Sequence, residues 1–281
     1  LSGLGIFIAQ YWGSKELHKI HRVFILTLII AMTISGIFFI VVHFFPQFII
    51  SLYNNGENIA DRQQIEFYGV KYLTIVSFAY FTMSISFALQ MLMRSVQKVI
   101  FPQIISVLTV LTNTGLNYLL IHGRFGFPEM GVEGAATATV ISSSIGMIIL
   151  ISYMVFSNFE VFKVKFSEYK NITKEFVAMI AKKAAPVAIN ETIWGLGMSA
   201  YLMAIGFISA GAIETVQISN QIMGLFWVFN AGIATAASIM LGNKLGENDI
   251  ELAKKWGVKF TKLSLFGGLV FGATLFFTSG V

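Results

Sequence analysis

Apolar runs of about 22 to 30 residues alternate with short polar segments along the whole chain, the length of helices that cross a bilayer hydrocarbon core. The pattern predicts complete spans over 23–45, 67–93, 99–121, 131–156, 184–209, 212–241 and 258–277. Residues 1–12 read as the last turns of a further span, ending at the polar segment 13–22. The weak ten-residue alternation of an outer-membrane barrel is not seen, so the expected class is an all-α integral membrane protein. The longest polar stretch, 157–183, divides the chain into a first lobe over 1–156, a cytoplasmic inter-lobe linker over 157–183 and a second lobe over 184–281. The chain opens at Leu1 inside one apolar run and stops at Val281 just after another, which reads as a fragment truncated at both ends.

Charge placement tests this layout, because Lys and Arg close to spans are held on the cytoplasmic side. Sixteen of the 19 basic residues fall in alternate loops: Lys15, Lys19 and Arg22; Arg94 and Lys98; Lys163 through Lys183; and Lys244 through Lys262. The intervening loops hold only Arg62 and Arg124, with Lys71 near an outer end where its ammonium can snorkel. The formal charge of +5 is therefore a mark of topology, and nucleic acid is not an expected partner. With 56% hydrophobic and 12% charged residues, the expected partner is the lipid bilayer. The absence of cysteine excludes disulfides and thiol chemistry. No nucleophile–base constellation, P-loop or paired carboxylates occur, so the chain is not expected to be an enzyme or to need a cofactor. His18 and His21 lie three apart without a third ligand and are expected to be solvated interface residues, so no metal site is assigned.

A shift of 233 residues lays Gly5–Arg22 on Ser238–Lys255, with Gln10 on Asn243, Gly13 on Gly246, Glu16 on Asp249 and Arg22 on Lys255. Both copies leave an apolar span through a glycine turn into a basic amphipathic start, in the same expected orientation. Six spans separate the copies, which predicts about twelve spans in two parallel halves. This chain then runs from the end of span two through span nine. Two lobes in one chain leave no need for a dimer or an obligate protein partner, and a monomer is expected.

Within the 184–209 span a single carboxylate, Glu191, stands roughly two turns in from Lys182 and Lys183. An ionisable group at that depth costs on the order of 2.5 kcal/mol or more unless it faces protein or water, which makes it a functional candidate. Helical spacing puts Trp194, Met198 and Tyr201 on its face, a wall suited to a cation or a lipophilic cationic ligand. The alternative is a carboxylate buried against a neighbouring helix for packing specificity. Asn190 adjoins Glu191 but points about 100° away. Gln217, Asn220 and Gln221 share a face of the next span and are candidates for the same cavity. Asn113 and Asn117, one turn apart, read either as cavity lining in the first lobe or as interhelical hydrogen bonding. Gly134, Ala138 and Ser142 form a small-residue stripe that allows close helix approach.

Five motifs carry a resemblance to a known family: IAQYWGSKE at 8–16, MRSVQKVIFPQIIS at 93–106, LTNTGLNYLLIHGRFGFPEMGVEGAATATVIS at 111–142, PVAINETIWGLGMSAY at 186–201 and ASIMLGNKLGENDIELAKK at 237–255. In these the chain resembles the multidrug and toxic compound extrusion (MATE) transporters. It departs at Gln97, where the family usually has glycine. The resemblance implies two six-helix bundles related by a pseudo-twofold and facing each other in a V, in the inner membrane of a prokaryote. It also implies gradient-driven alternating access, with sodium or protons as coupling ion and Glu191 at the position of a cation-site acid. The expected function is a cation-coupled antiporter exporting amphipathic or cationic organic compounds. The alternative is a lipid-linked oligosaccharide flippase of the same fold group, which calls for basic residues inside the cavity to hold a pyrophosphate.

Overall fold

The computed structural model describes residues 2–52, 59–206 and 210–278, and every regular element among them is helical. In chain order these are α1 (Ser2–Gly13), α2 (Leu17–Phe44), the short α3 (Pro46–Ser51), α4 (Ile59–Val76), α5 (Ala79–Ser95), α6 (Ile100–His122), α7 (Gly131–Phe156), α8 (Lys174–Gly206), α9 (Ala210–Gly246) and α10 (Ile250–Thr278). Among the described residues α2, α6 and α7 are each long and apolar enough to cross a membrane alone, and the bent pair α4–α5 makes a fourth span. The helices α8, α9 and α10, at 33, 37 and 29 residues, exceed the length a bilayer needs. The end of the expected 184–209 span, residues 207–209, lies outside the described residues.

Three expectations need correction. The span expected over 67–93 is not one straight helix: it breaks between α4 and α5 with a 46° bend. No proline causes this. The Thr74 carbonyl, which a continuous helix would pair with the Phe78 N–H, accepts instead from the Ser77 hydroxyl at 2.7 Å and from the His43 ring on α2 at 3.2 Å. The Phe78 N–H tightens to the Ile75 carbonyl at 3.3 Å. A side chain inserted into the helical ladder is a recognised cause of a kink.

The polar stretch 157–183 is likewise not all connector, since α8 begins at Lys174. The Thr173 hydroxyl accepts the Phe176 N–H at 3.2 Å, and Glu175 stands in the first turn. These are helix-starting signals, and they begin the helix before its apolar run. The connector proper, 157–173, folds back on the start of α2. There the Glu168 carboxylate accepts from Asn171 Nδ2 at 3.0 Å and Arg22 Nε at 2.8 Å, and meets His18 Nδ1 at 2.9 Å. Hydrogen bonds from Asn171, then Arg22 and His18, hold this carboxyl down at about 2. His21 is only 1% exposed, so it is not the solvated residue expected. The connector covers it, with Nε2–H donating to the Val161 carbonyl at 3.2 Å and Nδ1 facing the Lys165 N–H at 3.5 Å.

The main core gathers Leu4, Phe7 and Ile8 of α1, Ile20, Val23 and Phe24 of α2, and Leu92, Met93 and Val96 at the end of α5, with Val161 and Phe162 of the connector and Ile180 of α8. Helix packing elsewhere in the first lobe is closest between α6 and α7. A Cβ on Gly134 would stand 2.7 Å from the Leu120 carbonyl carbon, so the small-residue stripe brings these two backbones together. Lys71 does not merely reach outward: it pairs with Glu133 at 2.5 Å, joining α4 to α7.

One turn recurs at three helix ends. After α1, the N–H groups of Ser14, Lys15 and Glu16 donate to the carbonyls of Gln10, Trp12 and Tyr11; after α9, those of Glu247, Asn248 and Asp249 donate to Asn243, Leu245 and Lys244. After α5, Val96, Gln97 and Lys98 repeat the pattern on Leu92, Arg94 and Met93. This is a Schellman closure, whose central residue is left-handed. Lys15, Asn248 and Gln97 accordingly carry φ of 59°, 62° and 64°. The first two turns superpose residue for residue under the 233-residue shift, so the repeat read from sequence is also a repeat of backbone geometry.

Candidate functional site

Glu191 lies on α8, five residues beyond Pro186, which stands inside the helix. Proline lacks the N–H that would bond the Lys182 carbonyl, so the helix loses one backbone donor at the cytoplasmic end of the stretch that holds the acid. Glu191 is exposed, and among the described residues it makes neither an ion pair nor a hydrogen bond. Along the same face Trp194 is 60% and Tyr201 50% exposed, Met198 is half-buried, and a Cβ on Gly195 would meet nothing within 4 Å. This helix face carries a carboxylate at one end and aromatic and thioether groups beyond it. Asn190, also exposed, points to another side of the helix.

On α9, Gln217 and Gln221 are exposed and Asn220 is half-buried, with open space at Gly224. Among the described residues no hydrogen bond links these amides to the Glu191 face. They form a second polar strip whose amides are available to a ligand.

In the first lobe the amides are engaged. Asn113 Nδ2 donates from α6 to Thr139 Oγ1 at 3.4 Å and Ser142 Oγ at 3.3 Å on α7, and Asn117 Nδ2 donates to Asn113 Oδ1 at 3.1 Å. Asn117 Oδ1 is buried without a partner among the described residues. A cavity of about 250 Å³ lies in this lobe among Ser86, Gln90, Ser106, Thr109 and Ser143. A larger one, about 800 Å³, opens between Trp12, Lys15, Gln97, Phe159, Glu160 and Glu247, away from α8 and therefore from Glu191. Among the described residues no group of three or more His, Asp or Glu is placed to hold a metal ion.

The span pattern did not single out the contact between the lobes. It runs mainly through α1, against α8 and α9. A Cβ on Gly13 would stand 2.9 Å from the Asn243 carbonyl carbon, and one on Gly246 2.8 Å from that of Gln10. A Cβ on Gly242 would stand 3.0 Å from that of Ala9. Under the 233-residue shift Ala9 becomes Gly242, Gln10 becomes Asn243 and Gly13 becomes Gly246, so each helix offers its partner the same patch. The signal available in sequence was a pair of small residues four apart in both copies of the repeat, the spacing that lets membrane helices touch backbone to backbone.

Comparison with known proteins places this architecture. The chain matches the family model MatE over residues 1–119 and 186–281. It is 24% identical over 259 residues to "Probable multidrug resistance protein YoeA" of Bacillus subtilis, covering 90% of this chain and 54% of that one. It is 27% identical over 271 residues to "Probable multidrug resistance protein NorM" of Bradyrhizobium diazoefficiens, covering 91% and 55%. Among solved structures, an outward-facing multidrug resistance MATE family transporter of the MOP superfamily aligns with a TM-score of 0.78 at 18% identity, over 98% of this chain and 59% of that one. The chain thus spans about half the length of the curated relatives it matches. Its paired lobes, multi-pass helical build and matched motifs have one common explanation: the chain belongs to the MatE family, the multidrug and toxic compound extrusion group.

Proposed function

We propose that the chain is the central part of a cation-coupled antiporter that exports amphipathic, positively charged organic compounds across a prokaryotic inner membrane. The observation that carries this reading is Glu191: a carboxylate within the apolar stretch of α8, followed on the same helix face by Trp194, Met198 and Tyr201. A carboxylate so placed in lipid is costly unless it meets water or a cation, and a cation is what an ion gradient supplies. Aromatic faces and Met198 extend the site toward a flat, lipophilic cation. Sodium or a proton binding at Glu191 competes with such a compound, and the exchange of one for the other drives export. The ion biases the lobes only through its different affinities for their two arrangements. A flippase for lipid-linked saccharide is disfavoured because the basic residues collect at the expected cytoplasmic helix ends, with no cluster of them beside Glu191.

The test is flux of a fluorescent organic cation in vesicles holding the full-length protein, under an imposed sodium or proton gradient. Glu191→Gln is expected to lower gradient-driven flux at least about tenfold, the effect of about 1.4 kcal/mol of lost differential ion affinity. Undiminished flux in that variant contradicts the role given to the carboxylate.

A further inference from the structure

We propose that the outer face of α10 binds an anionic phospholipid of the cytoplasmic leaflet, its phosphodiester held by Lys255, Lys259 and Lys262 and an acyl chain lying along Phe266 and Leu269. These five residues follow one another at spacings of four, three, four and three, so they form a single stripe along the helix. Its basic part spans about 10 Å of helix rise at the end where the charge pattern puts the cytoplasm, and its apolar part continues into the bilayer. Lys259 and Lys262 fall inside the apolar run 258–277, the second of them about 6 Å beyond its start. Packing fixes which way the stripe looks. A Cβ on Gly267 would stand 2.5 Å from Phe229 Cε1 on α9, and the Phe229 and Phe271 rings are 5.0 Å apart. The stripe lies roughly 140° round the helix from the side that carries Gly267 and Phe271. All three lysines are exposed, and so are Phe266 and Leu269, at 66% and 65%. Under the 233-residue shift Lys262 falls on Ile29 and Phe266 on Thr33 of α2, both exposed although α4 to α7 complete the packing of that lobe. The face those helices leave open in the first lobe is the one their equivalents leave open in the second.

Charge singles out the ligand. Like charges three and four residues apart on a helix repel, and an ammonium carried into an apolar run is costly unless water or an anion meets it. Among the described residues none of the three lysines has an ion-pair partner, and Glu251, one turn nearer the cytoplasm on the same stripe, pairs with none of them. Membrane orientation alone does not ask for three. The matching positions of α2 are Arg22, Leu26 and Ile29, and Arg22 is already met by Glu168. The second copy of the repeat thus adds two cations at the depth of the headgroups, on a face whose deeper part is apolar. A phosphodiester that carries hydrocarbon chains matches both parts of the stripe, with the lysine stems reaching up along the helix to the phosphate. A free anion matches only the first.

The test places a fluorophore at Leu269→Cys in the full-length protein, with any cysteine outside these 281 residues replaced by serine. Its quenching is measured in vesicles of phosphatidylglycerol and phosphatidylcholine in which one lipid or the other carries brominated chains, and the ratio gives their relative affinity at this face. Phosphatidylglycerol is expected to bind there at least about tenfold more tightly, as three ammonium groups near the surface require. Lys255→Gln, Lys259→Gln and Lys262→Gln combined should bring the two lipids to within about twofold of each other, and the same three lysines changed to arginine should keep the preference. A fluorophore at Thr33→Cys, on the matching face of α2, should show a preference below about threefold. Quenching at Thr33 that is the same with and without the glutamine changes shows that the variant is folded. Equal quenching by the two lipids at Leu269 means that the lysines only reach water, and quenching by neither means that protein covers the face; either result overturns the site. So does a preference that survives the glutamine changes or is as strong at Thr33. Lipid affinity is read without any ion gradient, so a failed flux experiment at Glu191 leaves this site standing, and failure here leaves the transporter reading standing.

Discussion

Replacing Gly134 by alanine isolates the energy of the α6–α7 contact. The added Cβ would lie 2.7 Å from both the carbonyl carbon and oxygen of Leu120 and 3.1 Å from the Ile121 nitrogen, all of them backbone atoms that no rotamer change can move. Ordinary contact begins near 3.4 Å, so α7 must withdraw by roughly 0.7 Å, at a cost of about 1–3 kcal/mol for an overpacked site. That withdrawal also stretches the bonds from Asn113 to Thr139 and Ser142, already 3.4 and 3.3 Å long. Alanine also favours a helix over glycine by about 1 kcal/mol, which masks part of the loss. Gly36 on α2, where a Cβ would meet nothing within 4 Å, makes the same chemical change without the collision. The difference between Gly134→Ala and Gly36→Ala therefore isolates the steric effect, about 1–3 kcal/mol. Thermal unfolding in detergent, followed by circular dichroism, should place the Gly134 variant several degrees below the Gly36 variant, at about 2–4 °C per kcal/mol. Coincident melting curves for the two variants would refute the backbone contact.

Other perturbations follow from the turns and the connector. Gln97→Gly should stabilise the protein by about 0.5–1 kcal/mol in the same assay, because the left-handed φ of 64° strains a side chain by more than glycine loses in entropy. Lys15→Gly should behave alike, whereas Asn248→Gly should be near neutral, since asparagine tolerates that region; an equal gain at all three would contradict the strain argument. Glu168→Gln should loosen 157–173 from α2, seen as faster amide hydrogen exchange at Lys165 and its neighbours. In the unmodified chain the Glu168 carboxyl is held at about 2, below its ordinary value near 4.5, so docking should be complete above pH 4.5 and fade as pH falls from there toward 2. Connector protection that stays unchanged as pH falls from 4.5 toward 2, after correction for intrinsic exchange, would contradict this assignment.

The spans were legible because lipid allows few solutions: about 20 apolar residues in helical form, with basic residues held to one side. The internal repeat was legible for a related reason, since Gln10, Gly13 and Glu16 have like counterparts at Asn243, Gly246 and Asp249, and the turns they make are the same. What stayed hidden depended on partners far off in sequence. The break in the α4–α5 span needs His43 from α2 to occupy the Thr74 carbonyl, and no local proline or glycine marks it. His21 looked solvated because its cover, Val161 and Lys165, lies about 140 residues away. Gln97 was marked as a departure from the family's glycine, and the structure supplies the reason glycine suits that position: its φ is positive. Glu191 stands out as a candidate only through the rule that a charge in lipid is costly.

Oxidative cross-linking of Ala9→Cys with Gly242→Cys tests most directly that the lobes part where α1 meets α9 in each transport cycle. The two positions approach to 3.0 Å at Cβ, just under the roughly 3.5–4.5 Å of a disulfide; these 281 residues hold no cysteine, and any cysteine elsewhere in the full-length protein is first replaced by serine. The account expects a cross-link to form in membranes under mild oxidant, gradient-driven flux to stop as it forms, and reductant to restore flux. Full flux through a completely cross-linked protein would contradict it.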